Sequence, residues 1–407
     1  MRGRVAILLV SVLACIPLTA EAAELPLGKR SLDEQRTRVT VAPGLRWTSI
    51  VREGGPWRLN ALTIDRRSLE GGIEGVLSNE RVAGLERPSA MARRTGAAAG
   101  VNGGFFAVDG DPVGVLAVGG RLLSEPVNRR SALIVPLEPT ATPRIAPLTF
   151  AGSVGAGGAR RLLDGIDRTR GRIPACGGRG GDTPTQKPNS ALTCSDPSEL
   201  VLLSPRLGTV PPRSGVEALV RGDLVQRVGR PATGQVPAGS VALSGSGGAA
   251  SFLSDSLVPG GTVRVRTGLR AGKRRVPIAD QALVTGGGPR LLRRGRVSVA
   301  ARPEGFAPLE APGFFGSFVA SRQPRTLAGI KADGMLLLVT VDGRRPGWSA
   351  GVTLSEAARV MRALGARDAL NLDGGGSSSM VVRGEVVSRP SDPVGERAVG
   401  DGIFVLP

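Results

Sequence analysis

The chain has 407 residues, 41% of them hydrophobic, with 60 glycines and 31 prolines. That is enough for one large core or two ordinary ones, and it favours short strands and turns over long helices. The formal net charge is +19, carried almost wholly by arginine because lysine occurs only at Lys29, Lys187, Lys273 and Lys331. There is no histidine, which excludes a Ser-His-Asp triad, a Cys-His dyad and every His-ligated metal site, and leaves acid–base chemistry to Asp and Glu.

The N-terminus reads as a secretory signal peptide over 1–22: basic MRGR, an apolar run, then the small-residue site Ala20-Glu21-Ala22. Cys15 offers a secondary, lipoprotein-like reading. No later stretch has the roughly 20 apolar residues of a membrane span. Residues 23–38 are polar and read as a flexible lead-in. Residues 39–87 (VTVAPGLRWTSIV, WRLNALTIDRR) read as a β-rich segment packed on the main domain. Arg87-Pro88-Ser89 opens a short helix that Gly96 stops. AAAGVNGGFF is an apolar strand entering a glycine turn, and GVLAVGGRLL a hairpin.

Residues 152–199 are rich in Gly and Arg and read as a surface excursion. They hold Cys176 and Cys194. In an exported protein a disulfide between these would close a loop of about 17 residues, stabilising by roughly 3 kcal/mol; two free thiols are the alternative. Short strands resume from Glu199. GMLLLVTVDGR is a buried strand, and Thr353 with Glu356 forms a capping box before a helix whose apolar face is Leu354, Ala357, Ala358, Met361 and Leu364. DALNLD is the next strand and SMVVRGEVV a hairpin turning at Arg383-Gly384. The fold class is α+β, with mixed, largely antiparallel sheets and a few helices.

Three corners share a grammar: Asn102-Gly103-Gly104, Asp342-Gly343-Arg344 and Asp373-Gly374-Gly375-Gly376-Ser377. A carboxylate or amide ends a strand, and glycine lets the backbone turn and bare its N–H groups as an anion nest. Singly, each reads as a tight turn. Together they place a cleft at converging glycine-rich strand ends. The ordered set Asn102-Gly103-Gly104-Phe105-Phe106, Gln323-Pro324-Arg325-Thr326, Asp342-Gly343-Arg344, Asn371 to Ser377, Pro390-Ser391-Asp392 and Glu396-Arg397 resembles the phosphodiester glycosidase family over 88–407. Relatives often carry His and Asn where this chain has Gln323 and Ser388.

The resemblance implies hydrolysis of a sugar-1-phosphodiester at the anomeric carbon on a cell-surface or exopolysaccharide glycan, with no cofactor and no metal. It implies Asp373 as nucleophile or base and Asp342 as the second carboxylate. Arg325 and Arg397 would hold the phosphate with Ser377, and Asn102 the sugar. Gly104, Thr326, Arg344, Gly375 and Glu396 would complete the binding positions. Asp342 as a turn cap and Arg397 as the partner of Asp392 stay open. Few aromatics (3%) and arginines scattered along the sequence argue against nucleic acid. A non-catalytic binder of anionic polysaccharide and a carboxylate-metal phosphodiesterase are the rival readings; oligomeric state is not legible.

Overall fold

The computed structural model describes residues 24–28, 33–174, 176, 182–185, 193–210, 214–307 and 312–407. The signal peptide, its cleavage near Ala22 and Cys15 lie outside the described residues.

An eight-stranded sheet runs in the order Glu34–Ala42, Leu45–Arg52, Trp57–Ile64, Leu336–Val341, Arg325–Lys331, Ala366–Asn371, Arg290–Arg293, Arg296–Val297. Each neighbouring pair is antiparallel. The run LLLVTV is apolar on both faces because both are covered. Leu337, Val339 and Val341 pack against helix Leu354–Ala363, while Leu336 and Leu338 face a second sheet. That second sheet has five strands, ordered Glu385–Val386, Met380–Val382, Ala99–Asn102, Asp401–Val405, Ile73–Leu77. Helix Pro88–Thr95 covers its outer side through Met91 and Ala92. The layers are therefore helix, sheet, sheet, helix, an α+β arrangement.

Two further five-stranded sheets extend the molecule. In one, Gly165–Ile166 runs parallel to Leu200–Leu203, the one parallel pairing among the described residues, so the sheets are mixed but mostly antiparallel. Among the described residues no helix is long and apolar enough to cross a membrane.

Two expectations need correction. The lead-in over 23–38 is not free of structure: Leu25 and Leu27 are buried, the Arg52 guanidinium donates to the Leu25 carbonyl, and a strand begins at Glu34. Two leucines anchor residues 24–28 although composition alone marks them as mobile. Nor is 152–199 wholly a surface excursion. Val154, Leu163 and Ile166 belong to a core shared with Leu200, Leu243 and Leu253. Arg168 is buried between Glu125 and Glu199. The apolar positions there are diluted by glycine and arginine, which hides their alternation.

The capping box is present: the Thr353 hydroxyl accepts from the Glu356 amide at 3.1 Å, and the Glu356 carboxylate accepts from the Thr353 amide at 2.9 Å. Thr353→Ala is expected to lower unfolding free energy by about 1 kcal/mol, read from the urea midpoint at unchanged m-value.

Candidate active site

The site forms where one sheet meets the other, and Asn102 makes the join. It ends strand Ala99–Asn102, flanked by Met380–Val382 and Asp401–Val405. Its side chain is buried and reaches across to the eight-stranded sheet. Oδ1 accepts from the Thr326 hydroxyl at 2.6 Å and from the Ser379 amide at 3.1 Å, and Nδ2 donates to the Asp373 carbonyl at 2.9 Å. The Asp373 amide in turn donates to the Gly103 carbonyl at 3.2 Å. Asn371 fixes the strand end behind, donating to the Gly288 and Leu372 carbonyls, each at 2.8 Å.

This join brings two carboxylates together, Asp373 and Asp401. Asp401 opens the strand Asp401–Val405 and lies flat against the glycine corner. Its Oδ1 accepts from the Gly104 amide at 3.1 Å, and a Cβ at Gly103 would stand 1.6 Å from the same oxygen. Only glycine admits the carboxylate there. Asp401 is buried, and desolvation, with a smaller contribution from Asp373, pushes its carboxyl up to about 6 despite the Gly104 bond. Asp373 keeps a partly exposed edge but is otherwise enclosed by protein. Desolvation pushes it too up to about 6, opposed by the Ser377 hydroxyl, the Gly374 amide and the positive charge of Arg397.

The glycines after Asp373 clear space for cations. A Cβ on Gly375, which has φ +61°, would lie 3.3 Å from the Arg344 guanidinium; one on Gly376 would lie 2.5 Å from Arg397 Nη2. Two guanidiniums thus overlie the turn that carries Asp373. Arg397 is held by Asp392 at 2.6 Å. Arg344 donates to the neutral Gln323 amide oxygen at 2.5 Å and has no ion-pair partner among the described residues. Beside Asp401 a narrow crevice is lined by Gly104, Phe105, Thr285 and Gly286. The Thr285 hydroxyl there is buried and has no hydrogen-bond partner among the described residues.

Other sequence candidates are committed elsewhere. Both oxygens of Asp342 are engaged, Oδ2 by the Trp348 indole at 2.9 Å and Oδ1 by the Arg389 amide at 3.0 Å. Desolvation still raises its pKa. Arg325 is buried, donating to the carbonyls of Val352, Phe318 and Ser321. It closes the C-terminal end of the π-helix Phe315–Ala320, and desolvation lowers its pKa to about 10. Glu396 accepts from the amide and hydroxyl of Ser89, in the first turn of helix Pro88–Thr95, at 2.8 and 2.5 Å, and from Ser379 at 3.2 Å. Negative charge at a helix N-terminus is favourable, so Glu396 ties that helix to the site. Cys176 and Cys194 are joined by a disulfide. Among the described residues no three Asp, Glu or Cys side chains converge as a metal site.

Comparison with known proteins agrees with the motif resemblance over a narrower range than 88–407. Residues 214–406 match the family described as phosphodiester glycosidase. The Asn102 corner precedes that range and is delivered to it by the sheet. Over 80 residues, 20% of this chain, the sequence is 39% identical to the mouse N-acetylglucosamine-1-phosphodiester alpha-N-acetylglucosaminidase. Over 84 residues it is 38% identical to an uncharacterized SPbeta prophage-derived protein of Bacillus subtilis (strain 168). The matches span 15% and 13% of those relatives' lengths. A Burkholderia pseudomallei K96243 protein provisionally designated as exported has the same fold, with TM-score 0.84 and 26% identity over 95% of this chain and 99% of that one. A hypothetical protein from Synechocystis shares the fold at TM-score 0.68 and 22% identity, over 92% of this chain and 68% of that one.

The raised pKa of Asp401 sets a stability profile. Its folded pKa of about 6 exceeds the ordinary value of 3.8, so the native state binds the proton more tightly. That contribution is fully present below about pH 4 and is lost as pH rises to about 6. Asp401→Asn, which keeps an acceptor for the Gly104 amide, is expected to be more stable than the parent above pH ~6, by about 1–3 kcal/mol. The difference should vanish toward pH ~4, as followed by denaturation midpoints across that range.

Proposed function

We propose, on the premise that residues 214–406 belong to the phosphodiester glycosidase family, that this protein hydrolyses the anomeric C–O bond of a sugar-1-phosphodiester. The observation that carries the reading is Asp373, next to the buried Asp401, on a glycine turn overlaid by two arginines. Export to the cell envelope or beyond, and action there on surface or exopolysaccharide glycans, is part of the proposal. It is supported by the disulfide between Cys176 and Cys194.

The chemistry suits a site without histidine. The departing group is a phosphomonoester whose conjugate acid has a pKa of about 6, so it leaves without a strong general acid. What remains is to stabilise an oxocarbenium-like centre and collect charge on the phosphate. Asp373, partly exposed, serves the anomeric carbon as nucleophile or as base for water. Water adds its oxygen to that carbon, the bond to the phosphate oxygen breaks with its electron pair on phosphate, and the released proton passes to Asp373. Arg344 and Arg397 receive the phosphate oxygens. Ser377 orients Asp373. Asp401, buried on the Gly103–Gly104 backbone, holds the glycine corner beside Asp373 and acts as a positioning residue. Asn102 and Thr326 hold the two sheets in register.

The test is a panel of α- and β-linked methyl sugar-1-phosphodiesters in 18O-water. Label in the released sugar marks C–O cleavage; label in the phosphate would point to a phosphodiesterase instead. Asp373→Asn should lose about 10^2- to 10^4-fold in kcat, and Arg344→Ala a comparable factor in kcat/KM. Asp342→Asn should leave turnover nearly unchanged. Near-normal turnover by Asp373→Asn would remove the assignment.

A further inference from the structure

Folding orders arginines that look scattered in the sequence. Residues 149–156 and 264–271 run antiparallel in one unbroken register: Thr149 faces Arg270, Ser153 faces Arg266 and Gly155 faces Arg264, with the Ala151 amide bonded to the Gly268 carbonyl between them. Val154, Val263 and Leu269 take the buried side, so Arg264, Arg266 and Arg270 share the exposed one. The flanking strands add Arg160 opposite Gly155 and Arg275 opposite Arg270, which puts both on the same face.

This face is charged and largely uncompensated. Among the described residues none of these arginines makes an ion pair; Arg160 reaches only the Ser153 hydroxyl at 3.4 Å and Arg270 only the Lys273 carbonyl at 3.5 Å. Arg270 directly opposite Arg275 is a repulsive pair in an isolated sheet. Between the arginines stand Ala151, Ser153, Gly155 and Gly268, a low floor. At Gly155 a Cβ would find its nearest heavy atom, the Ala159 carbonyl oxygen, 3.7 Å away. With the turn at Gly222 and Asp223 this end forms an open pocket of about 560 Å3 lined by Arg160, Arg264, Arg266 and one acid, Asp223, in the size range of ligand sites. Neither Asp373 nor Asp401 lines it.

We propose that this strand face is a binding strip for a polyanionic polysaccharide, one carrying phosphate, uronate or sulfate groups, separate from the carboxylate site. Along one strand Arg264 and Arg266 stand about 7 Å apart, and Arg270 follows about 13 Å further on across Gly268; guanidinium forks suit oxyanions. Among the described residues no aromatic side chain shares the face (Phe150 alternates away from it), and stacking platforms are what single-stranded nucleic acid requires.

The test is binding of the full chain to heparin, polygalacturonate, neutral dextran and an oligo-dT of about 20 nucleotides, at about 0.15 M salt. The variant Arg264→Ser/Arg266→Ser/Arg270→Ser removes exposed side chains and relieves repulsion, so it should fold. It should bind heparin and polygalacturonate about 10- to 100-fold more weakly. Arg38→Ser/Arg46→Ser/Arg296→Ser, exposed positions elsewhere with equal charge removed, should bind as the parent does. Hydrolysis of a small sugar-1-phosphodiester should be the same in all three proteins. Equal losses in the two variants, no binding of either anionic glycan by the parent, or tighter binding of the oligonucleotide would each overturn the proposal. Absent hydrolysis with retained, strip-dependent glycan binding would instead sink only the catalytic reading.

Discussion

The side chain of Asn102 is the constraint on which the rest depends. Two sheets pack through Val101, Leu338, Ile403 and their neighbours, but apolar packing is non-directional and does not by itself fix one edge against another. Three directional bonds from a single buried amide do so. They join Thr326 and Asp373 of one sheet to Ser379 and the backbone of the other. A buried amide left unsatisfied costs more than the bonds contribute, so the arrangement is selective as well as stabilising.

From that join the electrostatics arise. Asp401 descends onto a backbone stripped of Cβ atoms, and Asp373 turns beside it under guanidiniums admitted by two further glycines. Burial favours the protonated forms, while the amides, Ser377 and Arg397 favour the ionised ones. The balance falls near pH 6, where a carboxyl can both accept and hold a proton. The cations that lower it are the groups poised for an anionic ligand. The glycine-rich corner and the acid pair are thus one device: the first creates the space that the second occupies.

Much of this was legible in the sequence, and the reasons for the rest are specific. The helix Leu354–Ala363, its cap and the hairpin at Arg383-Gly384 rest on local signals, and they stand as read. The Asn102 and Asp373 corners were recognisable because glycine runs behind a polar strand end have few other uses. Asp401 was missed because an Asp-Gly before an apolar strand reads as a turn. Its one visible oddity is an acid entering a strand that is otherwise apolar, with no loop to solvate it. The directions of the Asp342 and Arg325 side chains were not legible, because motif position says nothing of side-chain direction. One turns to Trp348, six residues on, and the other turns inward to helix-end carbonyls. The arginine face was invisible for a different reason: it exists only in the register between two segments more than a hundred residues apart.

The central claim is that enclosure by protein raises both Asp373 and the buried Asp401, and that the charge of Asp373 adds to the shift of Asp401. It is tested most directly by carbon-detected NMR titration of the protein labelled at its aspartate carboxyl carbons. The resonances assigned to Asp373 and Asp401 are each expected to titrate near 6, and Asp373→Asn should remove the first and pull the second downward. If both titrate near 4, or if the Asp401 curve is indifferent to Asp373→Asn, the account of this site is contradicted.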